Sequence, residues 1–288
     1  MFKRLLLAST AIAALGSAAL AADLPSRRVA PAPFVAVPAF TWSGLYVGVN
    51  AGYIFGDDNR ITTVGNNGPV AGPGTLFNSL NNIRVNSVRL NPEGFTGGGQ
   101  IGYNLQFGGI VVGVEADAAY TDYRQTGTFF GTTPAAAGFA ASTFRTDLGF
   151  LGTVRGRVGY AFDRFLVYGT GGLAYGDVDH TALFYAPGTG VGVLQFAGRR
   201  TGVETGYAVG GGVEYALPTT FSLFGSNAVT LKAEGLYYDL GRRNVLVPGV
   251  VAAAIPGSGV TVGTSYTSRY ETNGVIARAG INFKFGTF

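Results

Sequence analysis

Cysteine is absent from the 288 residues. That excludes disulfides, thiolate metal centres, a cysteine nucleophile and an N-terminal lipid-modified cysteine. Histidine is nearly absent too, with His180 alone, and a metal centre ordinarily wants more than one His beside its carboxylates. Charge is scarce: Asp, Glu, Lys and Arg make up 12% of the chain, against about 25% in ordinary soluble domains. The small basic excess is too diffuse to mark a nucleic-acid surface. Past the N-terminal region there is no run of about eighteen uninterrupted apolar residues, the length a membrane helix needs. Val245 to Ile255 comes nearest, and Pro248 and Gly249 break it.

What is present is apolar. Hydrophobic residues reach 47%, with 47 glycines, 21 Phe and 15 Tyr. A chain of this kind without a spanning helix can satisfy its backbone in lipid only as a closed barrel.

The N-terminus carries Lys3 and Arg4, an apolar run from Leu5 to about Leu15, and an Ala19-Leu20-Ala21 site. This is the layout of a cleavable signal peptide, residues 1–21. The run is short for an anchor and diluted by Ala, Ser and Gly. Residues 22–43 are rich in Pro and Ala and read as an extended periplasmic linker. The barrel is expected over residues 44–288.

From Trp42 onward, segments of about ten residues alternate apolar with small or polar residues, the signature of barrel strands. Eight are expected, at about 44–54, 94–107, 110–121, 148–161, 165–176, 205–217, 228–240 and 273–285. Outward faces read Leu45, Val47, Val49, Ala51 and Tyr53 in the first, and Val275, Ala277, Ala279, Ile281, Phe283 and Phe285 in the last. The faces of the fifth are ambiguous. Connections alternate in length: long at about 56–92, 122–145, 177–200 and 241–272, short at 108–109, 161–164 and 218–227. Short periplasmic turns and long extracellular loops are what an outer-membrane barrel shows. The expected fold is all-β, an eight-stranded antiparallel transmembrane β-barrel in up-and-down meander order. A secreted β-sandwich would also alternate, but it would turn its polar face to water, whereas here the inner face carries charges and glycines.

The order and spacing of several segments resemble the RopB-type family of small alphaproteobacterial outer-membrane barrels, which includes immunogenic surface antigens. The carrying residues are Ala22-Asp23-Leu24, Trp42-Ser43-Gly44-Leu45-Tyr46-Val47-Gly48, Gly99-Gln100-Ile101-Gly102-Tyr103-Asn104 and Gly113-Val114-Glu115-Ala116-Asp117. They continue with Val154-Arg155-Gly156-Arg157-Val158-Gly159-Tyr160, the run Val167 to Gly176, Gly212-Val213-Glu214-Tyr215-Ala216, the run Lys232 to Gly241, and Arg278 to Phe285. The resemblance implies location in the Gram-negative outer membrane, contact with its lipids and lipopolysaccharide, and a C-terminal aromatic strand presented to the barrel-assembly machinery. The candidates for that signal are Ile281, Phe283, Phe285 and Phe288. Family members end on the aromatic corresponding to Phe285, whereas this chain continues with Gly286-Thr287-Phe288.

Parity places Glu115, Asp117, Glu214 and Glu234 inside, against Arg155, Arg157, Lys232, Arg278 and Lys284. Eight strands enclose a space just wide enough for side chains to fill, and buried charges there must be paired. The expected reading is a polar plug rather than a gated ion path. Gly97-x-Gly99-x-x-Gly102 matches a dinucleotide fingerprint on paper, but that motif needs a following helix, and strand residues follow here, so no cofactor is expected. His180 with Asp177 and Asp179 reads as solvated loop charge, because no nucleophile motif accompanies it; no catalytic or metal site is expected. Arg60, Arg84, Arg89, Arg124, Arg199, Arg200, Arg242, Arg243 and Arg269 fall in or beside long loops, and guanidinium forks suit phosphate. The expected function is structural: a barrel that stabilises the outer membrane and displays loops. The alternatives are a small porin or narrow channel, and a surface binder of haem or a host ligand. The last is suggested by relatives and supported in this sequence only by one His and many tyrosines.

Overall fold

A computed structural model describes residues 40–57, 59–67, 75–131, 140–186, 192–218, 226–250 and 263–285. The expected signal peptide, most of the linker, and Phe288 lie outside these residues. In chain order the elements are β1 (Gly44–Gly56), β2 (Asn59–Asn66), the short helix α1 (Thr75–Leu80), β3 (Ser87–Leu90), β4 (Glu93–Phe107), β5 (Ile110–Phe130), β6 (Ala141–Phe162), β7 (Phe165–Tyr185), β8 (Leu194–Ala216), β9 (Ala228–Pro248) and β10 (Ser265–Phe285). No described helix is long and apolar enough to cross a membrane.

Eight strands close a ring. β1 pairs with β4, each of β4 to β9 pairs with its successor, and β10 returns to β1 through pairs such as Val47↔Phe283 and Ala51↔Ala279. All pairings are antiparallel, so the ring is the meander that the alternation predicts. The β4–β5 turn is two glycines, and Gly108 takes φ +62°, a left-handed conformation that glycine adopts without a Cβ clash.

The period-2 pattern sets the two faces. Val49, Ile101, Val114, Val154, Val158, Leu173, Val209, Val213 and Ile281 stand exposed on the outer wall. Two aromatic belts bound this apolar band. Tyr103, Phe107, Tyr160, Phe162, Phe165 and Tyr215 lie toward the short turns, with the Phe165 and Tyr215 rings 4.5 Å apart and tilted by 38°. Tyr53, Phe95, Tyr120, Phe150, Tyr175, Tyr207 and Tyr237 lie at the other boundary and meet across strands, as Phe150 meets Tyr175 at 5.9 Å. Such girdles mark the two interfaces of a barrel in lipid.

The barrel continues beyond the outer girdle, and here the structure corrects the expected loops. β5 runs on to Phe130, β6 begins at Ala141, β7 ends at Tyr185, β8 begins at Leu194, and β9 and β10 extend through Pro248 and from Ser265. β2 and β3, inside the expected first loop, join the same sheet: β2 pairs with β10 (Ile61↔Tyr270) and β3 with β2 (Ile61↔Val88). In this extension the polarity of the faces reverses. Phe144, Phe184, Phe196, Val245, Val247, Tyr266 and Tyr270 point in and form an apolar core with Ile61, Val85, Val88 and Leu90. The outer face turns polar, as expected of a wall that meets water.

On two strands the inward phase also slips, each time at a glycine. On β6 the even positions face out below Gly149 and the odd ones above it, with a register break between Leu148 and Phe150. On β9 the phase changes at Gly241, which takes φ +83°. An extra residue in one strand switches which face its successors occupy.

Candidate functional site

The interior is the site. It stacks in layers from the turn end outward. At the mouth, Trp42 is fully buried against Val111, Leu166, Tyr168 and Ala216. Its backbone N–H donates to Gln106 Oε1 (2.7 Å) and its indole Nε1 to the Asp163 carbonyl (3.2 Å). Phe40 meets its ring edge-on at 5.1 Å.

The ionic layer lies above Trp42. Period 2 brings Glu115 and Asp117 of β5, Arg155 and Arg157 of β6, Glu214 of β8, Lys232 and Glu234 of β9, and Arg278 and Lys284 of β10 to the inner face, all buried. Arg155 is its centre. Its Nη2 lies 2.7 Å from Glu115 and 2.9 Å from Asp117, and its Nη1 lies 3.0 Å from Glu234. Arg278 donates from Nη1 and Nη2 to the two oxygens of Asp117, each at 3.1 Å, and lies 2.6 Å from Glu234. Lys232 Nζ reaches Glu115 at 2.9 Å, and Arg157 reaches Glu214 at 2.8 Å. Several of these pairs join strands that are not neighbours, β6 to β9, β10 to β5 and β9 to β5, so they tie opposite walls across the lumen. Five cations face four carboxylates. The remaining charge is on Lys284, whose ammonium donates to the Trp42 carbonyl (2.8 Å) and sits 5.6 Å from the Trp42 ring and 5.7 Å from the Tyr46 ring. Arg155 and the carboxylates it binds show side-chain exposures of 0–2%.

Neutral groups that the sequence reading did not single out complete this layer. Tyr46 OH donates to Glu115 (2.7 Å), Tyr168 OH to Glu234 (3.0 Å), Thr153 to Asp117 (2.5 Å), and Thr230 and Asn282 to Glu214 (2.5 and 3.0 Å). Parity alone could have found Tyr46, which shares the inner face of β1 with Gly48 and Asn50. Glycines make room for the large members: a Cβ on Gly102 would strike the Tyr46 ring, and one on Gly212 would meet the Tyr168 hydroxyl. In β7 the inner face is Leu166, Tyr168, Thr170 and Ala174, which settles the strand whose faces the sequence left open.

An apolar layer follows, made by Ile54, Tyr123, Leu148, Leu151, Ala174, Val178, Ala208, Leu236, Tyr238, Leu240 and Ile276. Beyond it lies His180, and here the structure corrects the expected solvated cluster. His180 is a β7 residue with 0% exposure. It stacks on Tyr270 at 4.3 Å, and Thr146 and Thr272 hydroxyls lie 3.4 and 3.5 Å from its ring nitrogens. Glu204 lies 3.7 Å away and also meets Arg243 at 3.5 Å. Asp177 and Asp179 belong to the opposite face, because adjacent strand residues point apart. The outermost apolar layer is capped by Arg84, expected in a loop but only 3% exposed. Its guanidinium donates to the carbonyls of Ala141 (2.7 Å) and Tyr185 (3.0 Å) and covers the Phe184 ring at 5.0 Å. Burial lowers its basicity, and Tyr266 works against that shift. Gly97, Gly99 and Gly102 all lie in β4, where strand continues through Phe107, so no dinucleotide turn forms. No group of three or more His, Cys, Asp or Glu poised to hold a metal occurs among the described residues.

The ring, the lipid-facing band and the filled interior define a transmembrane β-barrel of the outer-membrane type. Residues 8–283 match the family model described as outer membrane protein beta-barrel domain, and the chain belongs to that family. It is 33% identical over 286 residues to the 31 kDa outer-membrane immunogenic protein of Brucella melitensis biotype 1, covering 98% of this chain and 100% of the relative. It is 35% identical over 144 residues to a 22 kDa outer membrane protein of Rhizobium leguminosarum bv. viciae, covering 49% and 52%. Among solved structures, the outer membrane protein OprG of Pseudomonas aeruginosa aligns with a TM-score of 0.41 and 13% identity, over 84% of this chain and 97% of that one. The chain is an outer-membrane protein, and its wall is in contact with membrane lipid.

Proposed function

We propose that this protein is a closed structural barrel, which stabilises the outer membrane and displays a rigid extracellular extension, rather than a pore. The observation that carries this is the cross-lumen network centred on Arg155, with two apolar layers stacked above it. An open ion path would need a continuous wet column. Planar bilayers loaded with folded protein are therefore expected to show no single-channel steps. Regular steps at any voltage would replace this reading with that of a narrow channel. The immunogenic relative is consistent with display, since the extension carries its strands well past the membrane band.

The proposed partners are lipopolysaccharide on the outer leaflet and the barrel-assembly machinery during insertion. For the latter, β10 offers Ile281, Phe283 and Phe285 on one face, paired to β1 through Val49, Val47 and Leu45. Phe285→Ala is expected to lower outer-membrane yield more than Phe288→Ala does. The reverse ranking, read from membrane fractions, would move the operative signal to the last residue.

A further inference from the structure

Above the outer aromatic girdle, arginine recurs on the outward face of strand after strand: Arg60, Arg89, Arg124, Arg145, Arg199, Arg242 and Arg269. On β5 to β8 the registers align Thr126, Arg145, Thr181 and Arg199 in one unbroken cross-strand row. The row beneath it is Arg124, Asp147, Asp179 and Thr201. The carboxylates hold the guanidiniums in place: one oxygen of Asp147 accepts from Arg124 Nε (2.7 Å) and Arg145 Nη2 (2.8 Å), and Asp179 pairs with Arg199. The three arginine side chains remain 46–69% exposed, so most of their N–H donors face outward. Between Arg145 and Arg199 lies a cleft of about 410 Å³, lined also by Thr126, Thr143, Asp179, Thr181 and the apolar Leu183. The cleft is thus lined by two cations, Arg145 and Arg199, against one carboxylate, Asp179, while Asp122 and Asp177 stand on the same outward face two residues nearer the membrane band.

Each feature has a chemical consequence. Guanidinium forks bind phosphate oxygens in pairs. The threonine hydroxyls can donate to phosphate or accept from a sugar, and Asp179 can accept from a sugar hydroxyl. Two strand spacings separate Arg145 from Arg199, about 10 Å, which leaves room for a sugar between two forks. Past Asp122 and Asp177, Tyr120 and Leu173 are 63% and 69% exposed on the lipid-facing wall beside Phe150 and Tyr175. A ligand whose anionic sugar fills the cleft would thus lay its acyl chains on that wall.

We propose that this cleft is a docking site for the phosphorylated sugar headgroup of lipopolysaccharide. The proposal rests on the outer-leaflet partner named above and adds the place and the chemistry. The test titrates folded protein in detergent with purified lipopolysaccharide, and in parallel with phosphate-stripped lipopolysaccharide, phosphatidylglycerol and inorganic phosphate. The parent should bind intact lipopolysaccharide, and R145A/R199A should bind it about tenfold more weakly or worse. R145K/R199K, which keeps charge but loses the fork, should fall between them. Phosphate-stripped lipopolysaccharide should bind the parent as poorly as intact lipopolysaccharide binds the alanine variant. Equal affinity of parent and alanine variant overturns the site. Equal binding of phosphatidylglycerol, or displacement by inorganic phosphate at matched concentration, overturns the sugar headgroup as its ligand. Heat-modified electrophoretic migration confirms that each variant is folded. The closed-barrel reading is judged separately, by the conductance of the parent: a silent parent with no binding difference overturns the docking site alone.

Discussion

Replacing Arg155 with alanine is expected to cost the barrel about 3–5 kcal/mol of stability, the usual consequence of removing one partner from a buried ion-pair network. Arg155 touches Glu115, Asp117 and Glu234 together and also donates to Thr153. Arg278 and Lys232 still reach these carboxylates, but they cannot supply the lost N–H donors at the centre of the lumen. The desolvation cost already met by three acids would then lack part of its compensation. Unfolding of the folded barrel in urea, followed by electrophoretic migration or circular dichroism, measures the loss. A second measurement separates charge from packing. If Arg155 acts through Glu234, the effect of Arg155→Ala should shrink in a Glu234→Gln background, because a coupled pair is not additive. An unchanged unfolding midpoint for Arg155→Ala alone would show that the network does not hold the walls together.

Much of the barrel was legible because lipid imposes a hard rule. Inside the band, every second residue must be apolar, so Val275, Ala277, Ala279 and Ile281 announce their face, and Arg278 and Asn282 announce the other. β7 was ambiguous for a physical reason: Gly169 and Gly171 hold outward positions, so the contrast between its faces fades. The extension beyond the aromatic girdle reads as loops for a different reason. Its alternation persists, but the polarity is inverted, with Phe144 and Phe184 inside and Arg145 and Thr181 outside. At Gly149 and Gly241 the phase also slips by one residue, and a period-2 pattern read through a slip looks like no pattern at all. His180 lies on β7, whose inward phase does not slip. Beside two aspartates in sequence it looks solvated; in a strand it faces away from both. Parity puts Tyr46 inside, but what Tyr46, Tyr168 and Arg84 do there depends on groups far away in the chain. The Tyr46 hydroxyl meets Glu115, and Arg84 caps rings from β7 and β10.

Trp42 carries the other large expected effect. Composition groups it with the Pro- and Ala-rich stretch before β1, yet its ring closes the mouth of the barrel and is fully buried. Trp42→Ala removes contacts to Leu166 and Tyr168, the indole bond to the Asp163 carbonyl, and the ring that faces the Lys284 ammonium. Loss of a buried tryptophan typically costs about 3–5 kcal/mol, and the cavity would admit water to the lower face of the ionic layer. Trp42→Phe should recover most of the packing and lose mainly the indole hydrogen bond, at about 1–2 kcal/mol. Neither change should make the barrel conduct, because the layers around Leu148 and Phe144 lie beyond the ionic layer and stay intact. The expected signature is therefore an unfolding midpoint that falls strongly for alanine and mildly for phenylalanine, in bilayers that remain silent. Should Trp42→Ala unfold at the parent's midpoint, residues 40–43 would be no more than the end of the linker, and the folded barrel would begin at Gly44. Conductance steps from a stably folded Trp42→Ala would mean that this ring, rather than the layers above it, is the seal.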